Sequence, residues 1–476
     1  MSRLADDGRK AIPTSTPGEQ GIDARGILRF LDALEADPRI EPHGLIVQRH
    51  GRRVVEGYWR PHDRGRLRLL YSLSKTFTGT ALGLLIGEGK LGLDDLASAH
   101  LPEAFATAHE GFRNLRIRHI ASMASGHNRE TLQEASGRDP DDVVRGFLTI
   151  PPDAEPGTLF AYNQPPVVAL ATILQRLAGE RLVDYLRPRL FEPLGIDDVR
   201  AQQRRPGFDF GYTGVYASLD AVARLGQLYL DDGVWQGRRL LPAGWVAEAS
   251  RVQTPNPQNV EPDWRQGYGL QLWMSRHGYR GDGAAGQYMV VLPEVDAVVA
   301  LLSCTVNMQR VLDLMWQHLL PAMQDTPRRA PEHDDRTLQE RLASLSLPTA
   351  QSRLGGRPPV LKQGRFSPVS PPAISHRTIT AVVLQGNELL ICEDDDRLRI
   401  PLSASWTQAT QRPFAASASE LPDGRIAIDL VPLATPHRLE ITLNPATATF
   451  DARWPVMPLF GAGLGRRLTS MEAPPL

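Results

Sequence analysis

Apolar residues recur at helical spacing in "IDARGILRFLDALEADP" (22–38), at Ile22, Ile27, Leu28, Leu31 and Leu34, and predict an amphipathic helix. The next stretch, "GLIVQRHGRRVVEGYW" (44–59), reads as two strands joined at His50-Gly51, a hairpin signal. A second helix starts within "YSLSKTFTGT" (71–80) and runs to about Gly87–Gly89, where glycines can end it. Short helices and loops fill 95–150. "PPVVALATILQRLAGERLVDYLRPRLFEPLGI" (165–196) predicts two helices, and "DAVARLGQLYLDDGVW" (220–235) another. Residues 267–303 read as three consecutive antiparallel strands, and "RVLDLMWQHLLPAM" (310–323) as a closing helix.

Beyond residue 324 the pattern changes. "QDTPRRAPEHDDR" is charged and carries prolines, and "TLQERLASLSLP" predicts a short helix. Short alternating runs such as "RTITAVVLQ", "RIAIDLVP" and "RLEITLNP" then follow, separated by turn residues. The expected organisation is a loose arm over 1–20, an α/β domain over 21–325, a linker with a short helix over 326–344, and an all-β module over 345–476.

Composition narrows the function classes. The 476 residues have a net charge of −1, which argues against nucleic-acid or anionic-membrane partners. Cys304 and Cys392, the only cysteines, form no disulfide framework and no metal-ligand spacing. The histidines include no H-E-x-x-H pair, so neither metal nor cofactor is expected. The first residues lack the apolar core of a secretory signal, and no apolar run approaches the ~20 residues of a membrane span. The expectation is a soluble cytoplasmic protein.

Charge also isolates one residue. Of 53 Lys+Arg, only Lys10, Lys75, Lys90 and Lys362 are lysine. Lys75 lies three residues after Ser72, at the start of the second helix, which puts both side chains on one face. A serine hydroxyl needs a base to become a nucleophile, and a desolvated lysine can be that base where arginine cannot. The plain alternative makes Ser72 a helix cap and Lys75 a solvated charge.

The stretch "YSLSKTFTGTALGLLIGEGKLGLDD" resembles the nucleophile helix of the serine β-lactamase and penicillin-binding-protein superfamily, in its class C and esterase branch. "PGTLFAYNQPPVVALATILQ" resembles the segment that carries that family's Tyr-x-Asn motif. There the tyrosine is the second acid/base, which falls on Tyr162 here. Gln164 stands in place of the asparagine and reaches one methylene further. "GYRGDGAAGQYMVVLPEVDAVVALLS" resembles the third active-site element, a Lys-Thr-Gly or His-x-Gly triplet on a strand. An ungapped count sets the triplet on Gly281-Asp282-Gly283, without its basic first residue, and leaves Arg280 as the nearest positive charge. The resemblance implies that the Ala284 and Ser72 N–H groups form an oxyanion hole and that Gly283 lets substrate approach the backbone.

"GDGAAG" also matches G-x-G-x-x-G, but a strand-like run follows where a dinucleotide site needs a helix. His127 suits a structural or rim position, and His277 an exposed strand.

The resemblance spans about residues 25–325. It implies a β-lactamase-like antiparallel sheet with flanking helices and a helical lobe. The implied activity is ester or amide hydrolysis of small molecules through acyl-Ser72, with Lys75 and Tyr162 as acid and base. β-Lactamase or D-amino-acid peptidase activity is the alternative within this class. A non-catalytic ligand-binding relative is the alternative outside it, prompted by Gln164 and Gly281.

Overall fold

The computed structural model describes residues 11–323, 332–369, 378–393 and 395–459. Its central element is a six-stranded antiparallel sheet formed by β1 (Ile40–Arg49), β2 (Arg52–Tyr58), β3 (Trp273–Met274), β4 (Tyr279–Gly283), β5 (Gln287–Leu292) and β6 (Ala297–Thr305). Their order is β3-β4-β5-β6-β1-β2, so β1 and β6, far apart in the chain, pair in the middle of the sheet. His50 and Gly51, with φ of 51° and 68°, make the tight turn between β1 and β2.

Both faces of the sheet are covered. Tyr288, Val290, Val299 and Leu301 enter one apolar cluster with Phe30, Leu31 and Leu34 of α1 (Ala24–Ala36). Met289, Val291, Ala300 and Leu302 point the other way, into the core of the helical lobe. Alternation along each strand, with both faces buried, explains the unbroken burial of "AVVALLSCT". The lobe is built around α2 (Ser74–Gly87), α3 (Gln164–Ala178) and α4 (Leu219–Leu230).

Several boundaries differ from expectation. Residues 11–20 are not loose: Arg53 N–H donates to the Pro13 carbonyl (2.8 Å), Ser15 N–H to the Arg53 carbonyl (3.0 Å), and Ile12 is buried. An edge strand with open backbone groups recruits this segment. Residues 1–10 and 324–331 lie outside the described set, including most of the charged run after 323. The next helix, α5 (Glu332–Ser344), begins five residues before Thr337. Its start, "EHDDR", is acidic, which suits a helix N-terminus, and Leu338 joins the cluster of α1 and Trp59. Residues 267–303 form four strands, not three, because Gln271 adopts a left-handed φ of 63° and leaves only Trp273–Met274 to pair. The Gln271 N–H and side-chain amide both donate to the Ala121 carbonyl and tie that bend to the lobe.

The C-terminal module is a nine-stranded sheet: β7 (Gly364–Pro368), β8 (Ile379–Gln385), β9 (Glu388–Glu393), β10 (Asp396–Pro401), β11 (Thr407–Gln408), β12 (Phe414–Glu420), β13 (Ile426–Pro432), β14 (Leu439–Asn444) and β15 (Thr449–Arg453). All neighbours are antiparallel except β7 with β15. The two ends of the sheet meet, with Thr407 Oγ1 donating to the Pro401 carbonyl (2.5 Å) and Ala418 N–H to the Ser403 carbonyl (2.7 Å). One core, including Phe366, Ile400, Phe414, Ile428 and Phe450, fills the nearly closed curve. Curling removes most of the exposed edge that a flat sheet would present.

Candidate active site

Ser72 does not cap α2. It sits in a 3-10 turn, Tyr71–Leu73, that precedes the helix, and α2 proper starts at Ser74. Tyr71 has a left-handed φ of 48°. Ser74 Oγ accepts the Val215 N–H (3.0 Å), so this hydroxyl holds the turn to the neighbouring strand segment.

Lys75 is almost wholly buried, and its amine meets three oxygens. They are Ser72 Oγ (3.0 Å), Gln164 Oε1 (2.8 Å) and the Tyr212 carbonyl (3.0 Å). The last two can only accept. When the amine is neutral they hold its two N–H bonds and turn its lone pair toward the Ser72 hydroxyl. Burial lowers Lys75 to about 7, against the opposing pull of Asp282 and Glu130. The chain thus holds a base that is half-deprotonated near neutrality one turn from a serine hydroxyl.

Tyr162 faces the same amine, with Lys75 Nζ 4.8 Å from its ring centre. Its ring stacks on Trp273 (5.2 Å between centres, 21° apart), and Tyr268 meets Trp273 edge-on at 4.8 Å. Burial raises the phenol well above its ordinary value. The Asp282 charge adds to the rise, and hydrogen bonds with Ser72 and Trp273 oppose it. Tyr162 is therefore a neutral O–H donor at neutral pH.

Gln164 begins α3, and Asn163 beside it is buried. Asn163 Oδ1 accepts from both the N–H and the hydroxyl of Thr131 (2.9 and 3.0 Å). Its contact is to the lobe, so of the two amides only Gln164 reaches Lys75. The exposed Glu130 carboxylate accepts the Gln164 N–H (3.3 Å) at the rim.

The third element arrives on β4. Asp282 is buried beside Arg280, whose Nε donates to its carboxylate (2.9 Å). Burial pushes the Asp282 carboxyl up, while Arg280, Lys75 and a Trp273 hydrogen bond pull it down. Arg280 Nη1 donates to the Met274 carbonyl (2.9 Å) and Ser275 Oγ (2.6 Å), Nη2 is buried without a hydrogen-bond partner, and the guanidinium lies over Trp264 (4.3 Å). Gly283 serves a different close approach from the one expected. A Cβ there would meet the Leu70 carbonyl and the Leu73 N–H, so the Ser72 turn itself comes close to this backbone. Gly281 likewise leaves room for Thr76 and Leu73. Ala284 opens the β4–β5 hairpin and packs against the cluster of Leu69, Tyr71, Tyr216 and Ala434. The "GDGAAG" run is that hairpin, strand–turn–strand.

The structure thus gathers Ser72, Lys75, Tyr162, Gln164 and Asp282 at one place, with Ala284 on the adjoining turn. Three participants escaped the sequence reading: the Tyr212 carbonyl, the Trp273 ring and Glu130. A backbone carbonyl leaves no mark in sequence, but the aromatic cluster in "GYGLQLW" was a usable signal. His127 is fully buried between Phe112 and Phe147, with Ser125 Oγ at 3.1 Å, and His277 packs on Trp316. Neither belongs to the site.

A second buried polar cluster surrounds Arg68, four residues before Ser72. Glu41, His43 and His62 bring ligand-type atoms within 4.8 Å of one another, the one such group among the described residues. Arg68 occupies it, donating to Nδ1 of His62 (2.6 Å) and of His43 (2.8 Å), while Arg438 pairs with Glu41. Two guanidiniums hold the donor atoms and repel a cation, so these residues do not fit a metal ion.

The sequence profile of the Beta-lactamase family matches residues 29–321. The chain belongs to this family. It is 29% identical over 315 residues to the 6-aminohexanoate-dimer hydrolase of Paenarthrobacter ureafaciens, covering 61% of this chain and 79% of that one. It is 28% identical over 272 residues to penicillin-binding protein 4 of Amycolatopsis lactamdurans, covering 49% of this chain and 70% of that one. The octameric penicillin-binding protein homologue from Pyrococcus abyssi superposes with a TM-score of 0.51 at 16% identity. That match spans 88% of this chain and 98% of the other. Hydrolases are thus among the relatives of this family member. Among the described residues no helix is long and apolar enough to cross a membrane.

Proposed function

We propose that the protein is a serine hydrolase that cleaves ester or amide bonds of small molecules through an acyl-Ser72 intermediate. The observation that carries this reading is the Lys75 amine, buried, lowered to about 7 and 3.0 Å from Ser72 Oγ. Ser72 Oγ attacks the carbonyl carbon while its proton passes to Lys75, and the carbonyl oxygen takes up negative charge. The N–H groups of Ser72 and Ala284 receive that oxyanion. Gly283 supports the Ala284 role: its carbonyl accepts the Gly286 N–H (3.2 Å), and backbone groups alternate along a strand, which turns the next N–H to the open edge. Tyr162 donates its proton to the leaving oxygen or nitrogen and regains one from Lys75. Water then attacks the acyl carbon, giving a proton to the Lys75–Tyr162 pair. The acid product leaves and Ser72 recovers its hydrogen.

The charge around the site favours small esters and amides over penicillins and peptides with a free carboxyl end. Those substrates carry a carboxylate, and Asp282 is acidic on the strand where the family places a basic residue. Arg280 is fully buried, with its Nε and Nη1 held by Asp282, Met274 and Ser275. Treatment with a fluorophosphonate followed by mass spectrometry should find the adduct on Ser72. A screen of p-nitrophenyl esters, D-amino-acid amides and nitrocefin should show turnover of the esters or amides first. A folded protein with no Ser72 adduct would sink the enzyme reading.

A further inference from the structure

The C-terminal module reaches the nucleophile turn mainly through the loop of residues 433–438 between β13 and β14. The Ala434 carbonyl accepts the Leu69 N–H (2.8 Å), and the Thr435 carbonyl accepts from Arg68 Nη2 (3.1 Å). His437 Nε2 lies 2.5 Å from the Tyr71 hydroxyl. The contacts therefore track the chain from Arg68 to the residue immediately before Ser72.

The hydrogen-bond directions at His437 are determined. Nδ1 lies 3.0 Å from the Val456 carbonyl, which can only accept, so Nδ1 carries the proton. Burial lowers His437 to about 4, so at neutral pH the ring is neutral and Nε2 is bare. Tyr71 O–H donates to it. The Leu459 backbone supplies a further hydrogen bond to the phenol. Tyr71 is in turn the residue with strained backbone: its left-handed φ of 48° is one that an aromatic residue adopts only where its surroundings hold it. Its ring packs with Leu69, Tyr216 and Ala434, against Ala284. Tyr71 thus precedes Ser72 in the chain and belongs to the apolar cluster on which Ala284 packs, so it adjoins both residues of the proposed oxyanion hole.

We propose that His437, with the 433–438 loop, is a positioning residue for the reaction: it anchors the Tyr71 hydroxyl and so holds the strained Tyr71–Ser72 backbone in its attacking geometry. This inference rests on Ser72 being the nucleophile. The C-terminal module is then a part of the catalytic apparatus, although it contributes no group that touches substrate.

The test uses the full chain with three variants, His437→Leu, His437→Gln and Tyr71→Phe. Folding is checked by circular dichroism and melting temperature. The readouts are the rate of Ser72 labelling by a fluorophosphonate and kcat and KM on a p-nitrophenyl ester. Wild-type protein should label at Ser72; absence of that adduct overturns the nucleophile assignment and this inference with it. With labelling present, His437→Leu and Tyr71→Phe should each slow labelling and kcat by about 10- to 100-fold while KM stays within about twofold. His437→Gln, whose amide oxygen can accept from Tyr71, should recover most of the loss. Labelling at the wild-type rate in Tyr71→Phe, which removes one oxygen and keeps the ring, would overturn the proposal even if His437→Leu fails to fold. A rise in KM at constant kcat in either variant would overturn it as well.

Discussion

Two buried polar clusters are centred on Arg68 and on Lys75, seven residues further along the chain, and they do opposite things with similar materials. In one Lys75 meets Ser72, Gln164 and Tyr212. In the other Arg68 meets His43, His62 and Thr435. Burial lowers both cations, Lys75 to about 7 and Arg68 to about 9. The lysine therefore gains a usable lone pair at neutral pH, and the arginine stays charged. The two histidines, bases by ordinary expectation, are pushed down by burial, His43 to about 4 and His62 well below its ordinary value, and act as neutral acceptors. Chemical capacity here depends on which group can give up its proton. The Arg68 cluster is a fastening.

The largest expected effect separates the clusters directly. Lys75→Arg and Lys75→Ala should each lower kcat on p-nitrophenyl esters by about 10³-fold or more, because arginine fits the charge but does not deprotonate. Substantial turnover in Lys75→Arg would mean that the two cations are interchangeable after all. Tyr162→Phe comes next. It should cost about 10²-fold on amides, whose nitrogen needs a proton to leave, and less on p-nitrophenyl esters, whose leaving group does not. Equal losses on both substrates would remove Tyr162 from the proton relay.

Arg68→Met should act on stability. It strands His43 and His62 nitrogens, each worth roughly 1–3 kcal/mol when buried without a partner. The melting temperature should fall, while the rising limb of kcat/KM with pH, governed by Lys75, keeps its midpoint near 7. A moved midpoint would show that the clusters are electrostatically one.

The smallest effect is the acid dependence of stability. His43 and His437 are lowered to about 4 in the folded chain, against roughly 6.5 for an unperturbed histidine. Between those values the unfolded chain binds more protons, so the stabilisation is full above about pH 6.5 and is lost as pH falls toward 4. Melting temperature measured from pH 7 to 4 should decline through that window, and more shallowly in His437→Gln. A flat profile would show that these rings are protonated as readily in the folded chain as in the unfolded one.

Much of this arrangement is visible in the chain itself. Ser72 and Lys75 are local, three residues apart, and the rarity of lysine makes the pair stand out. Tyr162 and Gln164 are legible through their motif, although their distance from Lys75 is not. The boundaries that went astray have tertiary causes. Residues 11–20 look loose until the open edge of β2 binds them, and Gln271 breaks a strand because the lobe pulls its amide groups away. Gly283 read as space for a ligand because sequence records the missing Cβ and not the Leu70 carbonyl that occupies its place.

The sequence by itself determined the family, the antiparallel sheet with its helices, and the identity of a serine, a lysine and a tyrosine with matching chemistry. Periodicity and short-range spacing carry that information, and both are properties of neighbouring residues. Only the tertiary structure decided that Lys75 is dry enough to be lowered to about 7, that Gln164 and the Tyr212 carbonyl orient it, and that His437 reaches Tyr71 across 366 residues of chain. Desolvation and hydrogen-bond direction depend on what surrounds a group in space, and these surroundings come from segments far apart in the chain.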